Sequence, residues 1–140
     1  MKIDSRFACA LACLILGALP AAAHHSFAAE YDRSKPVTLK GVVTKVEWQN
    51  PHTWFFIDVK DDEGKVVNWA LEGTTPNALI RAGWRKDSLK VGDQITVEGF
   101  LAKDGTNTAN ARSVMLPDGK KVFSGSADDG GPGGRGASQQ

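Results

Sequence analysis

Residues 37–48 read VTLKGVVTKVEW, and the way their apolar positions alternate decides the fold. Val37, Leu39, Gly41 and Val43 share one parity, whereas Val42, Val46 and Trp48 share the other. Successive side chains of a strand face opposite sides. A change of apolar phase inside one run therefore implies a bulge or a strong bend, which Gly41 would ease. A long bent first strand can serve both sides of a small closed β structure.

The segments downstream agree. In 53–60, Phe55, Ile57 and Val59 face one side and Trp54, Phe56 and Asp58 the other. DDEGK at 61–65 is a turn, and 66–72 alternates through Val67, Trp69 and Leu71, so the two runs read as a hairpin. Thr75 suits an N-cap, Pro76 a first helical position and Gly83 a helix end; Ala78, Leu79 and Ala82 offer a narrow apolar face. Strand four is expected over 94–100, with Ile95 and Val97 alternating, and strand five over 110–116. Asp118-Gly119 is a hairpin signal returning through Val122 and Phe123. The order predicts an all-β domain: a small five-stranded OB-like barrel with one short helix between strands three and four. A different small β-sandwich or roll with a peripheral helix is the alternative.

Outside this domain the composition changes. Lys2 and Arg6 precede an uncharged apolar run from Phe7 to Leu19, and Ala21 and Ala23 fit a small-residue cleavage site. That is the pattern of a secretory signal peptide over 1–23. The run is short of the roughly 20 residues that cross a bilayer, although an uncleaved anchor is the competing reading. Both cysteines, Cys9 and Cys13, lie inside it, and Ala10 stands where a lipidation signal before Cys13 would carry Leu. The mature chain then has no cysteine, so its core must hold it together in an oxidising compartment without disulfides. Residues 24–35 form a polar lead-in containing Phe27 and Tyr31, 36–123 the domain, and 124–140 a Gly-rich tail without large apolar residues, expected to be disordered. The 140-residue precursor carries a net charge of +1 with acids and bases interspersed. No basic stripe appears, which argues against nucleic acid and anionic lipid as partners.

Three histidines are present: His24, His25 and His52. Cleavage after Ala23 would give His24 a free α-amine beside its imidazole, a chelate that a further imidazole from His25 or His52 completes. Cleavage after Ala22 would instead put histidine third, also a copper-type arrangement. Nitrogen sets of this kind suit Cu(II), so copper is the cofactor these termini would take. Two histidines next to a signal peptide also fit a frayed polar terminus. The second constellation is Trp48-Gln49-Asn50-Pro51-His52-Thr53-Trp54-Phe55-Phe56, a turn between strands one and two. In an OB-fold this loop and the faces of strands two and three commonly bind ligand. Trp48, Asn50, Trp54 and Phe56 are the ligand or partner face this predicts, unless the aromatics pack inside or under Phe27 or Tyr31. Asp61, Asp62 and Glu63 lack calcium-loop spacing, and no nucleophile motif or phosphate loop occurs.

Several motifs together resemble a known family. They are His24-His25-Ser26-Phe27, KPVTLKGVVTKVEWQNPHTW from Lys35, Asn68-Trp69, Thr75-Pro76-Asn77, GDQITVEG from Gly92 and KDGTNTANARSVMLPDGKKVF from Lys103. The chain is similar to the small exported bacterial proteins of domain of unknown function 6152. The resemblance implies export and a small β-barrel, and implies no activity. The expected function is therefore a non-enzymatic periplasmic binding or accessory module, with copper at the processed terminus. The alternative is an interaction module that docks an envelope partner, and a copper-dependent enzyme is a third class.

Overall fold

A computed structural model of the chain describes residues 27–125. A short helix α1 (Phe27–Glu30) runs into β1 (Tyr31–Glu47), followed by β2 (Trp54–Lys60), β3 (Val66–Glu72), helix α2 (Pro76–Arg81), β4 (Gln94–Ala102), β5 (Thr108–Met115) and β6 (Lys121–Phe123). The fold is all-β with only short helices. Among the described residues no helix is long and apolar enough to cross a membrane.

β1 pairs antiparallel with both β2 and β4, β2 with β3, and β4 with β5. A short parallel pairing of Ala70–Glu72 with Thr108–Asn110 closes these five strands into a ring. β6 is a sixth strand, beyond the five expected; it takes the remaining edge of β5 at Ser113–Met115.

The phase change in β1 is present. Leu39, Gly41 and Val43 are buried, the register with β2 shifts between Val43 and Lys45, and Val46 and Trp48 then turn to the core. The bulge sits at Thr44 rather than at Gly41, and Val42, grouped by parity with Val46, is exposed. Gly41 serves another purpose: a Cβ there would stand 2.5 Å from the Asp58 carbonyl oxygen, so only glycine lets β1 approach β2 so closely.

Inside the ring, Phe55, Ile57, Leu71, Ile95, Val97 and Val114 are fully enclosed, and Leu79 of α2 plugs one side. Leu79 is the only buried residue of α2; Ala82 is exposed, so the helix offers one anchor rather than a stripe. Its cap is as expected, with Thr75 Oγ1 accepting from the Ala78 amide at 3.2 Å and Gly83 at φ +93° ending it. Trp84 stacks on Phe55 and donates Nε1–H to the Phe123 carbonyl at 2.9 Å.

Two boundaries differ from the composition-based ones. β1 begins at Tyr31, inside the expected lead-in, because Tyr31 pairs with Ala102 of β4 and, past an irregularity in register, Pro36 pairs with Phe100. Ser124, assigned to the tail, is fully buried and donates its hydroxyl to the Ala111 carbonyl at 2.6 Å. The predicted signal peptide, its cleavage point and the tail from residue 126 lie outside the described residues.

Candidate functional site

Register places Glu47, Trp54, Glu72, Asn110, Phe100 and Pro36 in one row across β1, β2, β3, β5, β4 and β1 again. Directly paired residues share a face, and this row faces away from the core because Phe55, Leu71 and Ala109 in the neighbouring row face inward. On such a face Glu72 and Asn110 would ordinarily reach water. Here they are 4% and 5% exposed.

The cover is the segment 27–31. The Phe27 ring lies 5.5 Å from that of Tyr31 and meets Phe100 edge-on at 5.8 Å. The segment is tied to the β4–β5 turn by two bonds from Lys103: its amide donates to the Glu30 carbonyl at 2.8 Å and its Nζ to the Ala28 carbonyl at 2.6 Å. Phe27 and Tyr31 are thus buried outside the ring, in a second, smaller cluster.

Glu72 is the centre of that cluster. Tyr31 donates its hydroxyl to Glu72 Oε2, and His52 Nδ1 pairs with Glu72 Oε1. One carboxylate so joins the N-terminal segment to the loop between β1 and β2. Burial, then the bond to Glu72 and its nearby negative charge, push the Tyr31 phenol well above the ordinary phenol range. Tyr31 therefore remains a donor throughout the physiological pH range. With Nδ1–H donated to Oε1, a neutral imidazole keeps its lone pair on Nε2. The His52 side chain is 32% exposed, so the ring lies at the boundary between the cluster and solvent.

The other expected ligand-face residues separate. Trp54 is half-buried and, with Tyr31, Ala102 and Thr108, lines an adjacent surface cavity of about 660 Å³. Phe56 is half-buried further along β2, with Lys45 Nζ 5.3 Å from its ring centre. Asn50 is exposed in the turn. Trp48 packs against the core, and its buried Nε1 has no hydrogen-bond partner among the described residues. Only His52 and Trp54 of the expected set share the outer row's neighbourhood. His24 and His25 lie outside the described residues, and among those described no three His, Cys, Asp or Glu side chains converge as a metal cluster.

Sequence reasoning missed Glu72, which reads as the polar end of a strand before a helix cap. Its parity marks it as outward-facing, and nothing local signals that Tyr31, 41 positions earlier, covers it.

A comparison with curated proteins finds no match. A family model does match, over residues 10–111, and its description is family of unknown function. That span contains β1–β4, Tyr31, His52 and Glu72 and reaches into β5. The chain belongs to the family of unknown function DUF6152.

Proposed function

We propose that this protein is an exported, non-enzymatic binding module in which an OB-like barrel presents His52 to copper(II) together with the processed N-terminus. The barrel reading is supported by β1 pairing with both β2 and β4, the ring closure of β3 on β5, and α2 lying between β3 and β4. The observation that carries the metal reading is the pairing of His52 Nδ1 with buried Glu72. Metal-binding histidines characteristically donate their second ring nitrogen to a carboxylate, which fixes the tautomer and the ring plane and makes the ligating nitrogen more basic. His52 is set up in that way, with Nε2 as the remaining donor atom.

The companion ligands come from His24, with help from His25. His24 lies three positions before Phe27, and an extended chain covers at most about 3.6 Å per residue, about 11 Å in all. The segment that would carry the terminal chelate is therefore anchored, through Phe27 and Tyr31, on the carboxylate that holds His52. An amine, its own imidazole and a third imidazole make a nitrogen set that favours Cu(II).

The test compares three proteins: one beginning at His24, the same with an added N-terminal methionine, and His52→Ala. Copper affinity is measured by competition with a chelator. The processed protein should bind one Cu(II), and both altered forms should bind it much more weakly. Equal binding by all three would overturn the reading. A second reading, docking of a small ligand or an envelope partner, draws on the half-buried Trp54 beside its cavity. It predicts that Trp54→Ala abolishes binding of that partner while copper binding is unchanged.

A further inference from the structure

We infer that the cavity beside Trp54 is a binding site for a small organic cation, an ammonium group carried on carbon. The inference rests on the ligand-docking reading, independently of copper, and gives that reading its ligand chemistry. Along the outer row the covering segment buries Glu72 and Asn110 but leaves the Trp54 indole half-buried at the wall of the cavity. The volume is about 660 Å³, inside the range of roughly 300–1,000 Å³ that small-molecule sites occupy. Its walls come from three separated segments: α1 with the start of β1, the start of β2, and the turn between β4 and β5 with its flanks.

The lining combines apolar surface with negative charge. Trp54, Tyr31, Ala29 and Ala102 supply aromatic rings and small apolar side chains, whereas Glu30 and Asp104 supply carboxylates. Lys103 is the one cation in the lining, and its Nζ is held on the Ala28 carbonyl at 2.6 Å. Asp104 stays ionised at neutral pH, because the Thr106 amide at 2.9 Å and then the Thr106 hydroxyl at 2.7 Å hold its carboxyl below the usual range. The Tyr31 phenol registers the same field: burial and Glu72 raise it first, and the negative charges of Glu30 and Asp104 add to the shift. A site of this sign selects a positively charged ligand.

The apolar walls decide between an inorganic and an organic cation. Among the described residues no three His, Cys, Asp or Glu side chains converge as a metal cluster. The side chains of Ala29, Ala102 and Trp54 offer a bare ion no ligand atom. An ammonium carried on carbon gains from both parts of the lining. Its carbons remove the alanines and the indole from water, and its charge is attracted to the aromatic ring and to the carboxylates.

The experiment uses the chain as the cell produces it, with choline as the probe. The comparison compound is the uncharged isostere of choline, in which a tert-butyl group replaces the trimethylammonium. Affinity is measured by calorimetric titration, and the place of binding by the Trp54 indole N–H resonance. Choline should bind at one site and move that resonance, and the isostere should bind at least about 10-fold more weakly. Trp54→Leu keeps an apolar wall without the ring and should weaken choline by about 2–30-fold. Asp104→Asn keeps the oxygen that accepts from Thr106 and removes the charge, so it should weaken choline by a smaller factor that shrinks as salt is added. If Trp54→Leu does not fold, Asp104→Asn and the isostere decide. Equal binding of choline and the isostere, both weakened by Trp54→Leu, overturns the cation assignment while the ligand-docking reading stands. Choline that binds the parent, Trp54→Leu and Asp104→Asn equally has its contact elsewhere on the chain, and the Trp54 reading falls with the inference. No saturable binding of choline overturns the inference.

Discussion

The two sides of the ring are built on different principles. Inside, Phe55, Ile57, Leu71, Val97 and Val114 form a closed apolar layer with α2 contributing Leu79 and the following loop Trp84. Outside, under residues 27–31, aromatic rings from Phe27, Tyr31 and Phe100 enclose Glu72 and Asn110, with His52 at the margin. The inner layer needs only apolar side chains of the right size, and its stabilisation scales with area removed from water. The outer layer removes a carboxylate from water, which costs free energy unless each oxygen is paired. A fold that wanted only stability would cover the outer row with apolar residues. Here the paired Glu, Tyr and His tie the covering segment down by directed bonds as well as by ring packing.

The contrast can be broken first by substitution. Phe55→Ala leaves a cavity in the inner layer, and should destabilise the protein by about 3–5 kcal/mol in urea unfolding. Tyr31→Phe removes one hydrogen bond to a buried carboxylate while keeping the ring, and should cost about 1–3 kcal/mol. Equal losses for the two would mean that the layers do not differ as described.

Alkaline titration sharpens the picture of the outer layer. Tyr31 is the only tyrosine, so phenolate absorbance reports it alone. Its folded pKa is raised by burial and by Glu72. The stability it contributes is therefore complete below the unfolded phenol value, near about 10, and is lost as pH rises beyond that. Phenolate absorbance should stay low through this range and appear together with unfolding. An ordinary reversible titration of native protein, with no loss of structure, would show Tyr31 to be open to solvent.

The smallest effect is expected at the exposed edge. The Glu98 carboxyl is held below the usual range by Lys121 Nζ at 2.7 Å and the Ser113 hydroxyl at 2.8 Å. Its contribution is present above the ordinary carboxylate range and is lost as pH falls through and below it. Because the carboxylate is open to water, screening limits that contribution to at most about 1 kcal/mol. Glu98→Gln should flatten the acid side of the stability profile by no more than this. A larger change would mean that the Glu98 pair is shielded in solution.

Much of the architecture was readable without coordinates. Alternation in 53–60 separates Phe55 and Ile57 from Trp54 and Phe56, and the phase change in 37–48 announces the bulge now seen at Thr44. Thr75, Pro76 and Gly83 mark the helix ends because capping is decided within one turn of chain. The site was legible only in part. His52 stands out as the sole histidine away from the N-terminus, whereas Glu72 looks like any acid at a strand end.

The sequence by itself determined where the central strand runs and the helix caps lie and which face of β2 and β3 is apolar, because these follow from periods of two and from local capping. Tertiary structure alone decided that β3 and β5 would meet, that residues 27–31 would lie over the outer row, and that Tyr31 and His52 would share the two oxygens of Glu72. Those contacts join residues distant along the chain, and no local pattern of polarity or propensity records them.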